Sequence, residues 1–396
     1  MTERAELVTA AEELEALASR LLQADAVAVD TEFFWERTFY PILGLVQLAT
    51  PDGCWLVDTV RLPDIRALGA VLASPAVTKV LHDAPQDLGI LARATGALPR
   101  TVFDTRLAAG FAGLGSTCSL QALLRETVGV GISKAETRSN WLRRPLSDAQ
   151  LRYAADDVVH LIRVRDILLA RCANDTVRGW LAEELARLND PFIYQDRDPQ
   201  LMYQRVKGGS RLSPRQLAVL RELAAWRETD ARARDWPRAH VLPDSLLVTL
   251  AQQAPADAAA FKAIPDVPGK MPEAAIASVL EAIARGLALP DEACPEPAEG
   301  ADFAEKRTLK PKSDSLLAHI ATACAPLGID PALVASRADA DAYVRTLACG
   351  GAPDQTLMQG WRQTLVRGWP HAEPKPADLP LQFSAPTVFQ TEGSSV

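Results

Sequence analysis

The rhythm of apolar and polar positions changes along this 396-residue chain. Up to about residue 190, short alternating runs interleave with stretches whose apolar side chains return every three or four positions. The first is the repeat of a strand and the second that of a helix. Residues 26–33 (AVAVDTEF) alternate and predict a strand. Residues 44–50 and 54–58 flank Pro51-Asp52-Gly53, turn chemistry that predicts a hairpin. Helical spacing covers 63–73, a short apolar strand covers 79–82, and Pro85 stands where proline opens a helix. A further strand is predicted at 101–104, then helical runs to Phe111 and over 120–128. Ser147 and Gln150 have capping-box spacing, and the periodicity behind them predicts one long helix to about Ala170. A hairpin followed by strand–helix alternation predicts a mixed sheet flanked by helices.

From about residue 207 the strand patterns vanish. Residues 213–270 hold three or four helical runs broken by Pro237, Pro243, Pro255 and Pro265. Residues 289–312 are rich in proline and charge and predict a linker, and 313–369 are helical again. The expected division is an α/β domain at 1–195, a helical domain at 207–288, the linker at 289–312, a second helical domain at 313–369 and a disordered tail at 370–396. Solenoid periodicity is absent.

Composition adds exclusions. With 48% apolar and 23% charged residues the chain is globular in type. No apolar run is long enough to span a membrane, and the N-terminus is charged and amphipathic without a signal-peptide core, so no membrane association and a cytoplasmic location are expected. The six cysteines and five histidines are scattered and lack zinc-site spacing; the cysteines read as buried thiols. A net charge of −8 opposes general binding of polyanions, yet residues 201–240 carry nine basic against four acidic side chains.

The chemistry lies in the carboxylates. Asp30 and Glu32 are two apart in a predicted strand, so both point to one face at the end of an apolar run, where unpaired charge is costly. Solvated acids at a strand end, or hard oxygen donors for Mg2+, both fit that pattern. Asp87 falls in the first turn of the helix opened by Pro85, a position the helix dipole also favours, and Asp83 competes with it. Asp156 and Asp157 fall inside the long predicted helix, where aspartate is a poor choice, and Tyr153 lies one turn before Asp157. Spacing alone leaves the choice within the doublet open.

Asp-x-Glu on a first strand, Asp at a helix start and Tyr-x-x-x-Asp on a late helix resemble, in that order, the tyrosine branch of the DEDD exonuclease superfamily. The blocks VAVDTEF, GLVQLAT, KVLHDAPQDL, GISKAETRSNWLRRPLS and YAADDV resemble ribonuclease D over residues 20–175. Residues 212–270 resemble a helicase-and-RNase-D C-terminal (HRDC) domain, and 313–369 a more divergent copy. The resemblance implies an α/β ribonuclease H-like exonuclease domain, a mixed sheet flanked by helices, followed by two small all-α HRDC-like domains. It implies metal ligands Asp30, Glu32, Asp87 and Asp157, with Tyr153 as catalytic tyrosine, and the family's spacing selects Asp157 over Asp156. It further implies two divalent cations, Mg2+ or Mn2+, and in-line hydrolysis releasing 5′-mononucleotides from RNA 3′ ends. Precursor tRNAs are the implied substrates, and a monomer the default.

Lesser expectations concern substrate contacts. Phe33, Gln47 and His82 could meet the terminal nucleotide, although Phe33 also suits a core. Lys134, Arg138, Arg143 and Arg144 form a basic run suited to phosphates or simply to a solvated loop. Asp58 and Asp104 read as loop braces. The basic segment at 201–240 reads as an RNA grip or as a bundle with exposed arginines. A proofreading-type DNA 3′-5′ exonuclease would use the same five residues, and an inactive RNA-binding scaffold would lack at least one of them.

Overall fold

The computed structural model describes residues 5–133, 135–296, 303–348, 351 and 356–370. From the N-terminus run β1 (Glu6–Val8), α1 (Ala11–Leu21), β2 (Ala26–Phe34), β3 (Ile42–Thr50) and β4 (Gly53–Asp58). There follow α2 (Leu68–Ala73), β5 (Thr78–Leu81), α3 (Pro85–Thr95), β6 (Val102–Asp104), α4 (Thr105–Phe111) and α5 (Leu120–Val128). Then come α6 (Asp148–Asp156), α7 (Leu161–Arg171) and α8 (Asp175–Arg187). The six strands form one mixed sheet in the order β1-β4-β3-β2-β5-β6. β2, β3 and β4 are antiparallel neighbours, while β1 joins β4, and β5 and β6 continue from β2, in parallel. β2 is therefore central, and its period of two feeds two cores. Val27 and Val29 face one with Leu17, Leu72 and Leu88. Ala26 and Ala28 face the other with Leu161 and Val164 of α7, their small side chains allowing that helix to lie close.

Several expectations change. β1 was not expected; its three residues are too few for a period to show. Helix stops short of filling 63–73 because the Asp64 carboxylate accepts the Arg66 backbone N–H and pairs with its guanidinium, a local bond that competes with the first turn. The long helix expected from Ser147 is two helices, interrupted after Asp156. The capping box is present, but two consecutive aspartates are where the helix ends.

The second unit comprises α9 (Pro214–Arg234), α10 (Arg238–Val241), α11 (Asp244–Gln253), α12 (Ala258–Lys262) and α13 (Glu273–Ala288). Its core also takes Met202 and Val206 from a preceding 3-10 segment, so it reaches upstream of residue 207. The third comprises α14 (Phe303–Cys324), α15 (Arg337–Ala348) and α16 (Gly360–Val366). α14 begins inside the expected linker at 289–312 and contains Pro311, because Leu309, Leu316, Ile320 and Cys324 return at helical spacing to a buried face. The tail expected at 370–396 lies outside the described residues beyond Pro370. Among the described residues no helix is long and apolar enough to cross a membrane.

The third unit shares a core with the sheet domain. Trp361 stacks on Trp180 of α8 at 5.6 Å and meets the edge of Phe111 of α4 at 5.1 Å. Asp330 accepts the Ser116 backbone N–H (2.6 Å) and hydroxyl (2.8 Å). Buried Glu184 accepts the Trp361 indole N–H (2.9 Å) and pairs with Arg362. Burial alone would raise the Glu184 pKa, but the bonds from Arg362 and Trp361 outweigh it and hold the carboxyl below its ordinary range. Stability from this contact is therefore present above the ordinary carboxylate range and lost as pH falls through the depressed value. Glu184→Ala should cost about 3 kcal/mol, the scale of an orphaned buried ion-pair partner. Hydrogen exchange at α16 should read it, with wild-type protection falling below the ordinary value of 4.5 and the variant lacking that dependence.

Candidate active site

The last turns of the alternating run in β2 carry the site. Asp30 lies opposite Gln47 and Glu32 opposite Leu45 on β3, and a register shift follows between Glu32 and Phe33. α6 packs Leu151, Tyr153 and Ala154 against Leu45, Leu56 and Trp141, which fixes the helix across the hairpin. Because α6 ends at Asp156, Asp157 sits at its C-cap, with its N–H bonded to the Tyr153 carbonyl (3.2 Å). Carboxylate oxygens of Asp30, Glu32 and Asp157 all lie within 4.8 Å of one another. Asp87 and Asp156 both lie outside this group; Asp156 sits beside His160 and Arg152, whereas the charge of Asp87 acts on Asp30 and Glu32.

Asp87 comes from the opposite side of β2. Pro85 occupies the first turn of α3, Asp87 follows two positions later, and its carboxylate accepts a bond from the Thr31 hydroxyl. The turn before α3 is held by Asp104, which accepts the N–H groups of Asp83 (3.1 Å) and Ala84 (2.9 Å) and caps α4 through Arg106 (2.8 Å). Asp83, at φ 65°, turns away and pairs with Arg106.

Each carboxyl is held above its ordinary pKa, with burial as the largest cause in every case. Asp30 is raised well above the usual range by burial and then by the charges of Asp87, Asp157 and Glu32. Glu32 is pushed up to about 9 by burial, then by Asp157 and Asp87. Asp157 is raised to about 7 by burial and Asp156, and Asp87 to about 6 by burial, against the opposing Thr31 bond. Buried oxygen donors that raise one another's proton affinity are a set that a divalent cation, as counter-charge, fits. Tyr153 is half-buried, one turn before Asp157, and its hydroxyl is 3.3 Å from the Thr137 hydroxyl. Burial first, and the Asp157 charge next, raise its pKa, so the phenol keeps its proton near neutral pH.

The lesser expectations divide. Gln47 is fully buried and donates to Asp30 (3.4 Å), so it braces a carboxylate instead of meeting a nucleotide. His82 is committed to the Thr105 hydroxyl (3.0 Å) and the backbone of Cys118. Phe33 is half-buried just past the register shift. Arg138 and Arg143 are exposed, and Lys134 lies outside the described residues. Arg144 is withdrawn from any phosphate role. It grips Asp58 with two bonds of 2.7 Å and donates to the carbonyls of Trp141 and Gly44. Its loop lies so close that a Cβ at Gly44 would stand 2.7 Å from the Trp141 carbonyl oxygen. Asp58 also caps Val60 and Arg61, the brace expected of it. In the basic segment, Arg227 pairs with Asp244, Arg232 and Arg238 with buried Glu228, and Arg234 with Asp230, so much of its charge is spent within the fold. Thr31 went unnoticed, although a hydroxyl on the Val27–Val29 face of the strand was a visible departure from pattern.

Known proteins match this chain along its length. Residues 5–172 match the 3′-5′ exonuclease family and residues 216–283 the HRDC domain. Ribonuclease D of Desulfotalea psychrophila is 38% identical over 362 residues, 91% of this chain and 96% of that protein. Ribonuclease D of Gluconacetobacter diazotrophicus is 39% identical over 365 residues, 91% of this chain and 90% of that one. The crystal structure of Escherichia coli RNase D superposes with a TM-score of 0.78 at 27% identity, covering 92% of this chain and 96% of that one. By these matches along its length, the chain belongs to the ribonuclease D family and is a 3′-5′ exoribonuclease.

Proposed function

We propose that the chain removes nucleotides from RNA 3′ ends by two-metal hydrolysis, with Asp30, Glu32, Asp87 and Asp157 holding two Mg2+ or Mn2+ ions and Tyr153 orienting the attacking water. The observation that carries this reading is the convergence of three carboxylates from β2 and the end of α6 within 4.8 Å. Bound cations of this kind supply charge neutralisation at the phosphate and a nucleophile at neutral pH. The protein's own part is to present hard oxygen donors in a partly dry pocket and to fix a phenol beside one of them. A phenol beside Asp157 is placed to guide the attacking water by hydrogen bonding. Released products are 5′-mononucleotides.

Precursor tRNAs are the proposed substrates, acted on by a monomer in the cytoplasm. E. coli RNase D is described as an exoribonuclease involved in structured RNA processing, which supports a folded RNA with a free 3′ end. The sequence keeps all four carboxylates and the tyrosine, three of the carboxylates in one cluster, which speaks against an inactive scaffold, and relatives named as ribonucleases speak against a DNA enzyme.

Nucleotide release from an RNA oligomer should require Mg2+ and stop with EDTA. Asp30→Asn and Asp157→Asn should each lower kcat on the order of a thousandfold, while Asp156→Asn should not; the reverse result for the doublet overturns the assignment. Asp30→Asn should also unfold at higher urea in EDTA than the wild type, by about 1 kcal/mol, because a carboxyl whose ionised form burial and its neighbours disfavour is gone. Added Mg2+ should stabilise the wild type and leave that variant nearly unmoved. Tyr153→Phe should slow turnover roughly a hundredfold with Mg2+ affinity retained, and wild-type kinetics would remove the phenol from the reaction.

A further inference from the structure

We propose that a cleft between α3 and the loop joining β2 to β3 binds the single-stranded RNA leading into the carboxylate site, with Trp35 as its stacking surface. The inference rests on the exoribonuclease activity and adds a subsite to it. The cleft measures about 520 Å3, within the range of ligand sites, and is lined by Trp35, Tyr40, Gln86, Gly89, Arg93 and Tyr194. Both walls adjoin site residues along the chain. α3 brings Asp87 to the carboxylates and its neighbour Gln86 to the cleft, and Trp35 follows Glu32 by three residues, roughly 10 Å of extended chain.

Gly89 is the informative residue. Glycine in the middle of a helix weakens it, and the usual excuse is a neighbour too close to admit a side chain. Here a Cβ at Gly89 would meet nothing within 4 Å. Packing does not ask for glycine, and the space beside it is left open to an occupant of the cleft.

The opposite wall is held in a fixed pose. Trp35 is 52% exposed, yet its indole N–H donates to the Phe39 carbonyl at 3.0 Å. The backbone N–H groups of Phe39 and Tyr40 both donate to Asp235 at 3.0 Å, and Phe39 is buried against Ala231 and Val241. Asp235 ends α9 in the left-handed region, φ 51°, so the first helical unit reaches over and fixes this loop. An exposed aromatic immobilised in this way loses little entropy on stacking.

The chemistry favours bases over phosphates. The Arg93 guanidinium lies 3.6 Å from the Tyr40 ring centroid and is paired with Asp196 at 2.8 Å, so its charge is already met. What remains is π surface, an amide from Gln86 and the exposed edge of Ile193. Single-stranded RNA stacks on such surfaces with little regard to sequence.

The test is anisotropy of a labelled RNA octamer with the full-length protein in EDTA. Trp35→Ala, and Gly89→Leu, which fills the cleft, should each raise Kd about tenfold, and Trp35→Phe should stay within about threefold of the wild type. The Trp35→Ala loss should be the same at low and moderate salt, since stacking releases no counterions. Wild-type affinity in both Trp35→Ala and Gly89→Leu, or a flattened salt slope in Trp35→Ala, would overturn the proposal. Because binding is read without metal, failure of Mg2+-dependent nucleotide release would remove the hydrolytic reading alone, and failure of the binding contrast the cleft alone.

Discussion

Like charges held together away from water are the constraint around which this catalytic domain is arranged. Asp30, Glu32 and Asp157 converge, Asp87 adds its charge from the next helix, and burial raises all four pKa values. Free to move, a cluster of this kind would swing apart; held in place, its proton affinity rises. Here the central strand, wedged between antiparallel β3 and parallel β5, cannot yield, and helices on both faces press against it. Packing energy spread over two cores is spent on a local electrostatic loss, and that loss is what gives the pocket its appetite for cations.

The braces around the cluster share one logic. Two of them are carboxylates that satisfy backbone groups near a chain reversal. Asp104 gathers the turn before α3 and the start of α4, and Asp58 joins the end of β4 to Arg144 in the loop before α6. Thr31 and Gln47 then hold individual carboxylates from either face of β2. Such pairs are worth little as surface decoration but more when buried, where an unmet partner is costly. They explain why Arg144 and Gln47 belong to the frame of the site and not to its contact surface.

Much of this was written in local pattern. β2, the β3–β4 hairpin, Pro85 opening α3 and the capping box at Ser147 all follow from periodicity and turn chemistry acting over a few residues. The Asp-x-Glu spacing gave two ligand candidates on one face before any fold was known. What escaped depended on distant partners. Arg144 looked like one more cation in a basic run until Asp58, far back in the chain, closed on it. The arginines of α9 suggested a free positive face, yet Glu228, Asp230 and Asp244 absorb much of it. Pro311 argued for a linker, but a buried face running through Leu316 and Ile320 overrode it.

Trp361 lies against Trp180 and Phe111 and covers a face of a domain that precedes it in the chain. A ribosome releases residues in order, so the helices α4 and α8 emerge with that apolar face bare. It stays bare until some 170 further residues have followed. The nuclease domain thus precedes the helix that finishes it, and a later part of the chain completes an earlier one.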